Sequence, residues 1–388
     1  MKILFSASTY PHEGSQFTAF IKVLCEEMTR QGHEVTVITP QSVSRIILRG
    51  EKFLPKEMEY DVITSNGQRK IKVLRPWTIS FGYGRIGRQT LTWDRWFFER
   101  CLKGKMDKFD VVYAHFWRSG FKVARIAKKS GKKLIVATGE DVININRYLS
   151  QQEMIDLRDS TSGVVCVSTK NKNESIELGL TTEEKCVVLP NAADQSLFYV
   201  RNKKDCRAKL GFPQNKFIVA YCGRFNYRKG AKRVSDAVKE VADKDVNVIF
   251  IGKEVENQKV ELDCPGILYK GVLPHEEIPE YIGSADVFVL PSLAEGCSNS
   301  IVEALSCGRP VISSDLPFNK DILDNSNSIL IDPMDVGKLS FAIKKLKNDP
   351  DMLEMLSKGA EERANNLSIT VRAQRILDFI KKLLKGNE

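Results

Sequence analysis

Residues 293–315, LAEGCSNSIVEALSCGRPVISSD, carry the reading of this chain. Two carboxylates, Glu295 and Glu303, stand eight positions apart around a turn of small polar residues. The apolar run Asp286-Val-Phe-Val-Leu-Pro291 precedes them and Pro310-Val-Ile-Ser-Ser314 follows, and both read as strands. A Gly/Ser/Asn loop leaving a strand and entering a helix exposes backbone N–H groups that can hold an anion. Ionised Glu accepts hydrogen bonds only and can take two adjacent hydroxyl donors, which suits a sugar. The stretch therefore predicts a site for a phosphate ester of a sugar. Two acids at this spacing alone would more often mark a solvated helix face.

Working outward, strand and helix patterns alternate in both directions. Strands are predicted at Lys2–Ser6, Glu34–Thr39, Val111–His115, Leu134–Thr138, Val164–Ser168 and Val187–Pro190. A second series runs Phe217–Cys222, Val246–Gly252, Ile267–Tyr269, Asp286–Leu290, Val311–Ser313 and Ile329–Ile331. Between them, Phe20, Val23, Leu24 and Met28 recur at helical spacing up to Gly32, and Val234, Ala237, Val238 and Val241 do the same. Such alternation predicts parallel sheets covered on both faces, hence an α/β chain of two Rossmann-like domains. The join falls near Pro190–Lys204, a stretch of turn residues and charge without periodicity.

At 388 residues, two domains of ordinary size are more natural than one. No stretch approaches the ~18 apolar residues of a membrane span, and the start MKILFSA reads as a buried strand rather than a signal peptide. The nine cysteines are scattered, without Cys-x-x-Cys or zinc spacing. A reducing cytosol is the expected compartment. Lys and Arg against Asp and Glu give +12 over residues 1–140 and −2 over 141–388, so the net +10 belongs to the first part. A one-sided basic field favours nucleic acid or an anionic membrane surface.

Residues 293–315 also resemble the signature of the family 4 retaining glycosyltransferases (group 1), which have the GT-B fold. The matching residues are Glu295-Gly296, Glu303-Ala304-Leu305, Gly308 and Pro310-Val311. A second motif, Gly223-Arg224-Phe-Asn-Tyr-Arg-Lys229-Gly230, is similar to that family's Gly-Arg-x-x-x-x-Lys-Gly. By itself it offers two cations at a helix entry, which can converge on a diphosphate and neutralise it as it leaves. An exposed basic loop is the plain alternative.

The resemblance implies two Rossmann-like domains facing across a cleft. The N-terminal, acceptor-binding domain would span residues 1–195 with the returning helix 369–388, and the C-terminal, donor-binding domain 196–368. It implies that Arg224 and Lys229 bind the donor diphosphate, that Glu295 contacts the transferred sugar and that Glu303 binds ribose. Gly223 joins the donor-binding residues, and Cys297 to Ser300, with Ser298, Asn299 and Ser300 foremost, offer backbone N–H groups to the phosphates. Ser298 also fits an N-cap. Gly14-Ser15 stands where the family has a glycine pair near the phosphates. His115, at a strand end where the family often has a cleft histidine, reads equally as a packed structural residue. In Thr138-Gly139-Glu140-Asp141 the Gly and Asp persist, but Thr138 replaces the usual histidine and cannot supply its charge. Either this subfamily works without an imidazole or activity is lost, and the complete donor motifs favour the first. Asn191 and Asp194 are expected to shape a turn, and His275 carries little weight.

No cofactor or metal is expected beyond a nucleoside-diphosphate sugar as co-substrate. The segment Arg69–Lys108 interleaves cations with Trp77, Phe81, Tyr83, Trp93, Trp96, Phe97 and Phe98. Trp93, Trp96, Phe97 and Cys101 follow helical spacing and predict a helix packed in its own domain, with Asp94 set off the packed face. Nothing there resembles a nucleic-acid motif, so nucleic acid is not an expected partner. A lipid-linked acceptor would bring this half to an anionic membrane surface, from the cytoplasm and as a peripheral protein. The expected function is a metal-independent glycosyl transfer to a saccharide or lipid-linked acceptor, as in capsule, exopolysaccharide or O-antigen assembly. A nucleotide-sugar-binding protein without turnover, or an epimerase or phosphorylase of the same fold, are the other classes.

Overall fold

The computed structural model describes residues 1–12, 19–80, 82, 84, 86–255 and 258–386. The chain divides into two compact units, Met1–Leu189 with Ala373–Glu388, and Pro190–Arg372.

In the first unit the strands are β1 Lys2–Ser6, β2 Glu34–Ile38, β3 Gln41–Ser42, β4 Glu57–Thr64 and β5 Gly67–Leu74. They continue with β6 Trp77–Thr78, β7 Val111–His115, β8 Lys133–Thr138, β9 Thr161–Cys166 and β10 Cys186–Val188. The helices are α1 Ala19–Arg30, α2 Val43–Arg49, α3 Gly87–Leu102, α4 Trp117–Lys129, α5 Gln151–Ser160 and α6 Thr169–Glu177. The main sheet has the order β10-β9-β8-β7-β1-β2-β5-β4, and β3 pairs with β6 separately. All five residues of β7 are buried, as expected of a parallel strand covered on both faces.

The expectation of a purely parallel sheet needs correction at one edge. β4 runs antiparallel to β5, with Thr64 opposite Gly67. The turn Ser65-Asn66-Gly67 closes this hairpin, Gly67 taking φ 101° and Thr64 Oγ1 donating to its carbonyl at 2.6 Å. The Asn-Gly pair between alternating apolar residues was the available signal. A second correction concerns α3. Its buried face is Leu91, Asp94, Phe98 and Leu102, while Trp93 and Trp96 point outward. Asp94 is drawn inside because Lys122 of α4 is buried with it, Nζ to Oδ2 2.9 Å.

The second unit contains α7 Lys203–Leu210, β11 Phe217–Cys222, α8 Ala231–Val241, β12 Val246–Ile251, β13 Ile267–Gly271 and α9 Ile278–Ser284. It continues with β14 Val287–Leu290, α10 Asn299–Ser306, β15 Val311–Ser314, β16 Ser328–Ile331, α11 Val336–Asn348 and α12 Pro350–Ala364. Its sheet, order β13-β12-β11-β14-β15-β16, is parallel throughout. The strand order reverses between β11 and β14, so the loops leaving these two neighbours diverge to opposite sides and open a crevice. α8 covers the sheet with Val234, Ala237, Val238 and Val241, all buried, each valine contributing up to ~1.5–3 kcal/mol. The last helix, α13 Ile369–Lys385, belongs from Ala373 onward to the first unit. There it lies on β9, where a Cβ on Gly163 would stand 2.5 Å from Leu383 Cδ1.

Candidate functional site

The two motifs meet at the strand-order reversal of the second sheet. Gly223–Gly230 leaves β11, and Pro291–Ser298 leaves β14. They are stitched together by their own backbones: the Leu293 N–H donates to the Arg228 carbonyl at 2.8 Å. Arg228 Nη1 donates to the Ala294 carbonyl at 2.5 Å. Arg233 of α8 donates to the carbonyls of Tyr227 (2.9 Å) and Pro291 (2.7 Å) from a buried position. Burial lowers the Arg233 pKa, and the carbonyls replace the water it loses. Gly230 makes the approach possible, at φ 80° with a would-be Cβ 2.8 Å from the Pro291 oxygen.

Charges follow from this stitching. Lys229 Nζ lies 2.5 Å from Glu295 Oε1, both side chains largely buried, and Arg228 Nη1 lies 3.8 Å from Oε2. Arg224 is exposed; Tyr221 Oη donates to its carbonyl at 2.9 Å, and its guanidinium has no ion pair among the described residues. The structure thus separates the two cations, one compensated in a buried ion pair and one exposed.

Glu303 sits in α10, and Glu295 in the loop that feeds it. Ser298 takes the N-cap position with extended backbone (φ −76°, ψ 116°), but its hydroxyl makes no cap hydrogen bond. The expected side-chain cap is therefore not formed, and Ser298 Oγ is buried without a partner among the described residues. Asn299 and Ser300 open the first helical turn, half-buried. Asn191 Nδ2 donates to the Cys297 carbonyl at 2.9 Å, so this residue fixes the helix entry rather than a turn alone. The Ser300 hydroxyl bonds the Cys222 thiol, whose pKa burial pushes up to about 12. Glu303 Oε1 lies 3.2 Å from His275 Nε2, and this bond raises the His275 pKa against the opposing effect of burial. His275 also packs on Phe198, ring centroids 5.2 Å apart. Sequence reasoning undervalued His275 and missed Arg233; neither lies within a motif, and both are brought in by packing.

In the first unit, His115 ends β7, buried among Phe5, Phe20 and Phe116 with centroid distances of 6.3, 5.3 and 4.3 Å. Phe116 holds φ 74°, a strained value for a bulky residue, and its N–H donates to the Ala137 carbonyl. Thr138 ends β8 fully buried, Oγ1 donating to Glu140 Oε2 at 2.7 Å. The same carboxylate accepts from the N–H of Gly139 (2.9 Å) and, at the entry of α4, of Trp117 (3.1 Å). Burial raises the Glu140 pKa while these three donors oppose the rise. Glu140, which sequence reasoning passed over, is thus the hub here. Asp141 is half-buried, and its carbonyl accepts from Lys170 Nζ at 2.7 Å. Gly14 and Ser15 lie outside the described residues. Among the described residues no cluster of three His, Cys, Asp or Glu could hold a metal ion, and no helix is long and apolar enough to cross a membrane.

A model of the glycosyl transferases group 1 matches residues 202–363, and a model of glycosyltransferase family 4 matches residues 18–197. The chain belongs to the group 1, family 4 glycosyltransferases, and its fold is GT-B. TuaC of Bacillus subtilis, provisionally described as a teichuronic acid biosynthesis glycosyltransferase, is 28% identical over 392 residues, covering 96% of this chain and 94% of that protein. The Escherichia coli UDP-Gal:alpha-D-GlcNAc-diphosphoundecaprenol alpha-1,3-galactosyltransferase is 26% identical over 298 residues, 71% of this chain and 76% of that one. Sucrose-phosphate synthase from Thermosynechococcus elongatus superimposes with a TM-score of 0.77 at 18% identity, over 99% of both chains.

Proposed function

We propose that this protein is a retaining, metal-independent glycosyltransferase that moves a sugar from a nucleoside diphosphate to a hydroxyl of a saccharide or lipid-linked acceptor. Bacterial surface-polysaccharide assembly is the setting that TuaC and the galactosyltransferase suggest. The observation that carries the reading is the pairing of Lys229 with Glu295 beside the exposed Arg224. Together they place cationic and carboxylate groups at the entry of an uncapped helix.

In this reading residues 196–368 hold the donor, and residues 1–195 with 369–388 hold the acceptor. The first-turn N–H groups of α10, from Asn299 and Ser300, take the diphosphate together with Gly223 and with Gly14 and Ser15. Glu303 takes the ribose hydroxyls and Glu295 the transferred sugar. As the bond from the anomeric carbon to the diphosphate oxygen breaks, negative charge grows on that oxygen. Arg224 and Lys229 stabilise it, doing the work a metal ion does elsewhere. The acceptor oxygen bonds to the same face of the carbon, and its proton passes to the leaving phosphate. His115, Thr138 and Asp141 border the acceptor side, with Thr138 acting through Glu140 and not as an acid.

Peripheral attachment at the cytoplasmic face of a membrane fits an exposed apolar group in the first unit. Ile47 and Leu48 of α2, with Phe53 and Trp77, are exposed, and Lys56 Nζ stands 4.0 Å above the Trp77 ring. Apolar and aromatic tips beside cations suit an anionic lipid surface.

The test is calorimetric titration with UDP-, GDP-, ADP- and CMP-sugars, in EDTA and again with magnesium. Binding of one nucleotide series in EDTA, and glycosyl transfer with that donor, is the expected result, with uridine first in line from the galactosyltransferase. Binding that demands magnesium, or no binding by any series, contradicts the reading.

A further inference from the structure

The first unit holds a polar cavity of about 840 Å³ at the C-terminal ends of β1, β2 and β5. Arg75, the residue after β5, lines it at 2% exposure. Its Nη2 donates to Tyr60 Oη at 3.0 Å, while its Nη1 has no acceptor among the described residues. Three more buried polar atoms on the same lining, the hydroxyls Tyr10 Oη and Thr78 Oγ1 and the carboxylate oxygen Asp94 Oδ1, also lack hydrogen-bond partners among the described residues. A buried guanidinium N–H left without an acceptor is costly, and so is a buried hydroxyl. Three such donors around one cavity specify what completes them.

Charge decides between a neutral acceptor and an anion. Among the described residues the lining carries the cations Arg45, Lys52, Arg75 and Arg118 against the acids Glu51 and Asp94. Glu51 lies 3.7 Å from Arg45 and offsets it, and the Asp94 charge is offset by Lys122 outside the cavity lining, Oδ2 to Nζ 2.9 Å. Arg75 has no carboxylate partner among the described residues. Burial raises the Tyr10 pKa, which keeps its hydroxyl a donor at every physiological pH. A guanidinium Nη1 and two hydroxyl donors on one lining suit a carboxylate or phosphate group.

We propose that this cavity binds an oxyanion, a carboxylate or a phosphate, carried by the acceptor, with Arg75 as its principal ligand and Tyr10 and Thr78 completing the shell. The acceptor is then an acidic saccharide or a phosphorylated one. This rests on the reading of the first unit as the acceptor holder.

The experiment is titration of the full chain at low salt with D-glucuronate, inorganic phosphate and neutral glucose, and separately with UDP. The proteins compared are the natural chain, Arg75→Gln, Tyr10→Phe and Arg224→Ala. The expected result is binding of glucuronate, phosphate or both, with glucose at least about tenfold weaker. Arg75→Gln and Tyr10→Phe should each weaken that anion, Arg75→Gln by about tenfold or more. UDP affinity should stay unchanged in both variants, and anion binding should stay unchanged in Arg224→Ala. Glucuronate alone identifies a carboxylate and phosphate alone a phosphoryl group. Failure of both anions to bind the natural chain overturns the proposal, as does unchanged anion affinity in Tyr10→Phe and Arg75→Gln. If Arg75→Gln does not fold, Tyr10→Phe, which removes one oxygen, decides alone. Loss of UDP binding in the natural chain would instead overturn the donor assignment, so the two failures are told apart.

Discussion

Lys229 Nζ and Glu295 Oε1 lie 2.5 Å apart, and through this contact the loop after β11 is held to the loop after β14. One residue comes from the basic motif and the other from the acidic one, so a site separated by 66 positions in sequence is a single ion pair in space. Arg224, five residues earlier, is exposed and has no such pairing among the described residues.

The two cations should therefore separate in mutagenesis. Arg224→Ala is expected to leave stability within ~0.5 kcal/mol of the natural chain while weakening nucleoside-diphosphate binding by ~1.5–3 kcal/mol. Lys229→Ala should weaken binding similarly and also destabilise the second unit by ~3 kcal/mol, because it strands the buried Glu295. Urea denaturation and UDP titration of both variants read the two effects. Equal stability losses would refute the separation.

Gly230→Ala should cost at least ~1–3 kcal/mol from backbone strain alone. Its Cβ would also stand 2.6 Å from Arg233 Nη2, so the clasp on the Pro291 carbonyl must open. Donor affinity should fall with stability, since the same clasp positions both loops. A variant with natural thermal stability and natural UDP affinity would show that the clasp does not organise the site.

Thr138 should behave as a support for Glu140. Thr138→Val removes the 2.7 Å donor and is expected to cost ~1–3 kcal/mol, by thermal or chemical denaturation. Thr138→His would place a ring at a fully buried position and should destabilise the unit by ~1–3 kcal/mol without raising turnover. A gain in activity would mean that the imidazole is needed after all.

The His275–Glu303 bond gives a pH signature. The His275 pKa is raised above its ordinary 6.5 when folded, chiefly by Glu303, so the folded state binds the proton more tightly. The stabilisation is complete below pH 6.5 and is lost as pH rises through the folded pKa. The melting temperature of the natural chain minus that of His275→Gln should therefore shrink between pH 6 and about 8. A difference that is flat, or grows with pH, contradicts the pairing.

Ile47→Asp with Leu48→Asp should abolish sedimentation with vesicles containing phosphatidylglycerol while leaving thermal stability unchanged, since no residue of α2 is buried. Retention of vesicle binding would move the membrane surface elsewhere on the chain.

Much of the fold was legible from local pattern. β1, β7 and β11 begin and end where their apolar runs do, because a strand covered on both faces must be apolar along its whole length. α8 is equally plain from Val234, Ala237, Val238 and Val241. Where one face is solvated the signal thins: β4 and β5 mix Glu, Asp, Lys and Arg with a sparse apolar set, and only Asn66-Gly67 marks the hairpin. Asp94 is a different case. A carboxylate between tryptophans reads as solvent-facing, and a lysine 28 positions later decides otherwise.

The sequence by itself determined the alternating α/β architecture, the family and the identity of the two motifs, since each depends on residues close together in the chain. Tertiary structure alone decided which charges are compensated. It put Lys229 on Glu295, His275 on Glu303, Thr138 on Glu140, left the Arg224 guanidinium exposed, and left the Nη1 of Arg75 without an acceptor among the described residues. Electrostatic energy depends on distance and burial across the fold, and neither can be read from spacing along a chain.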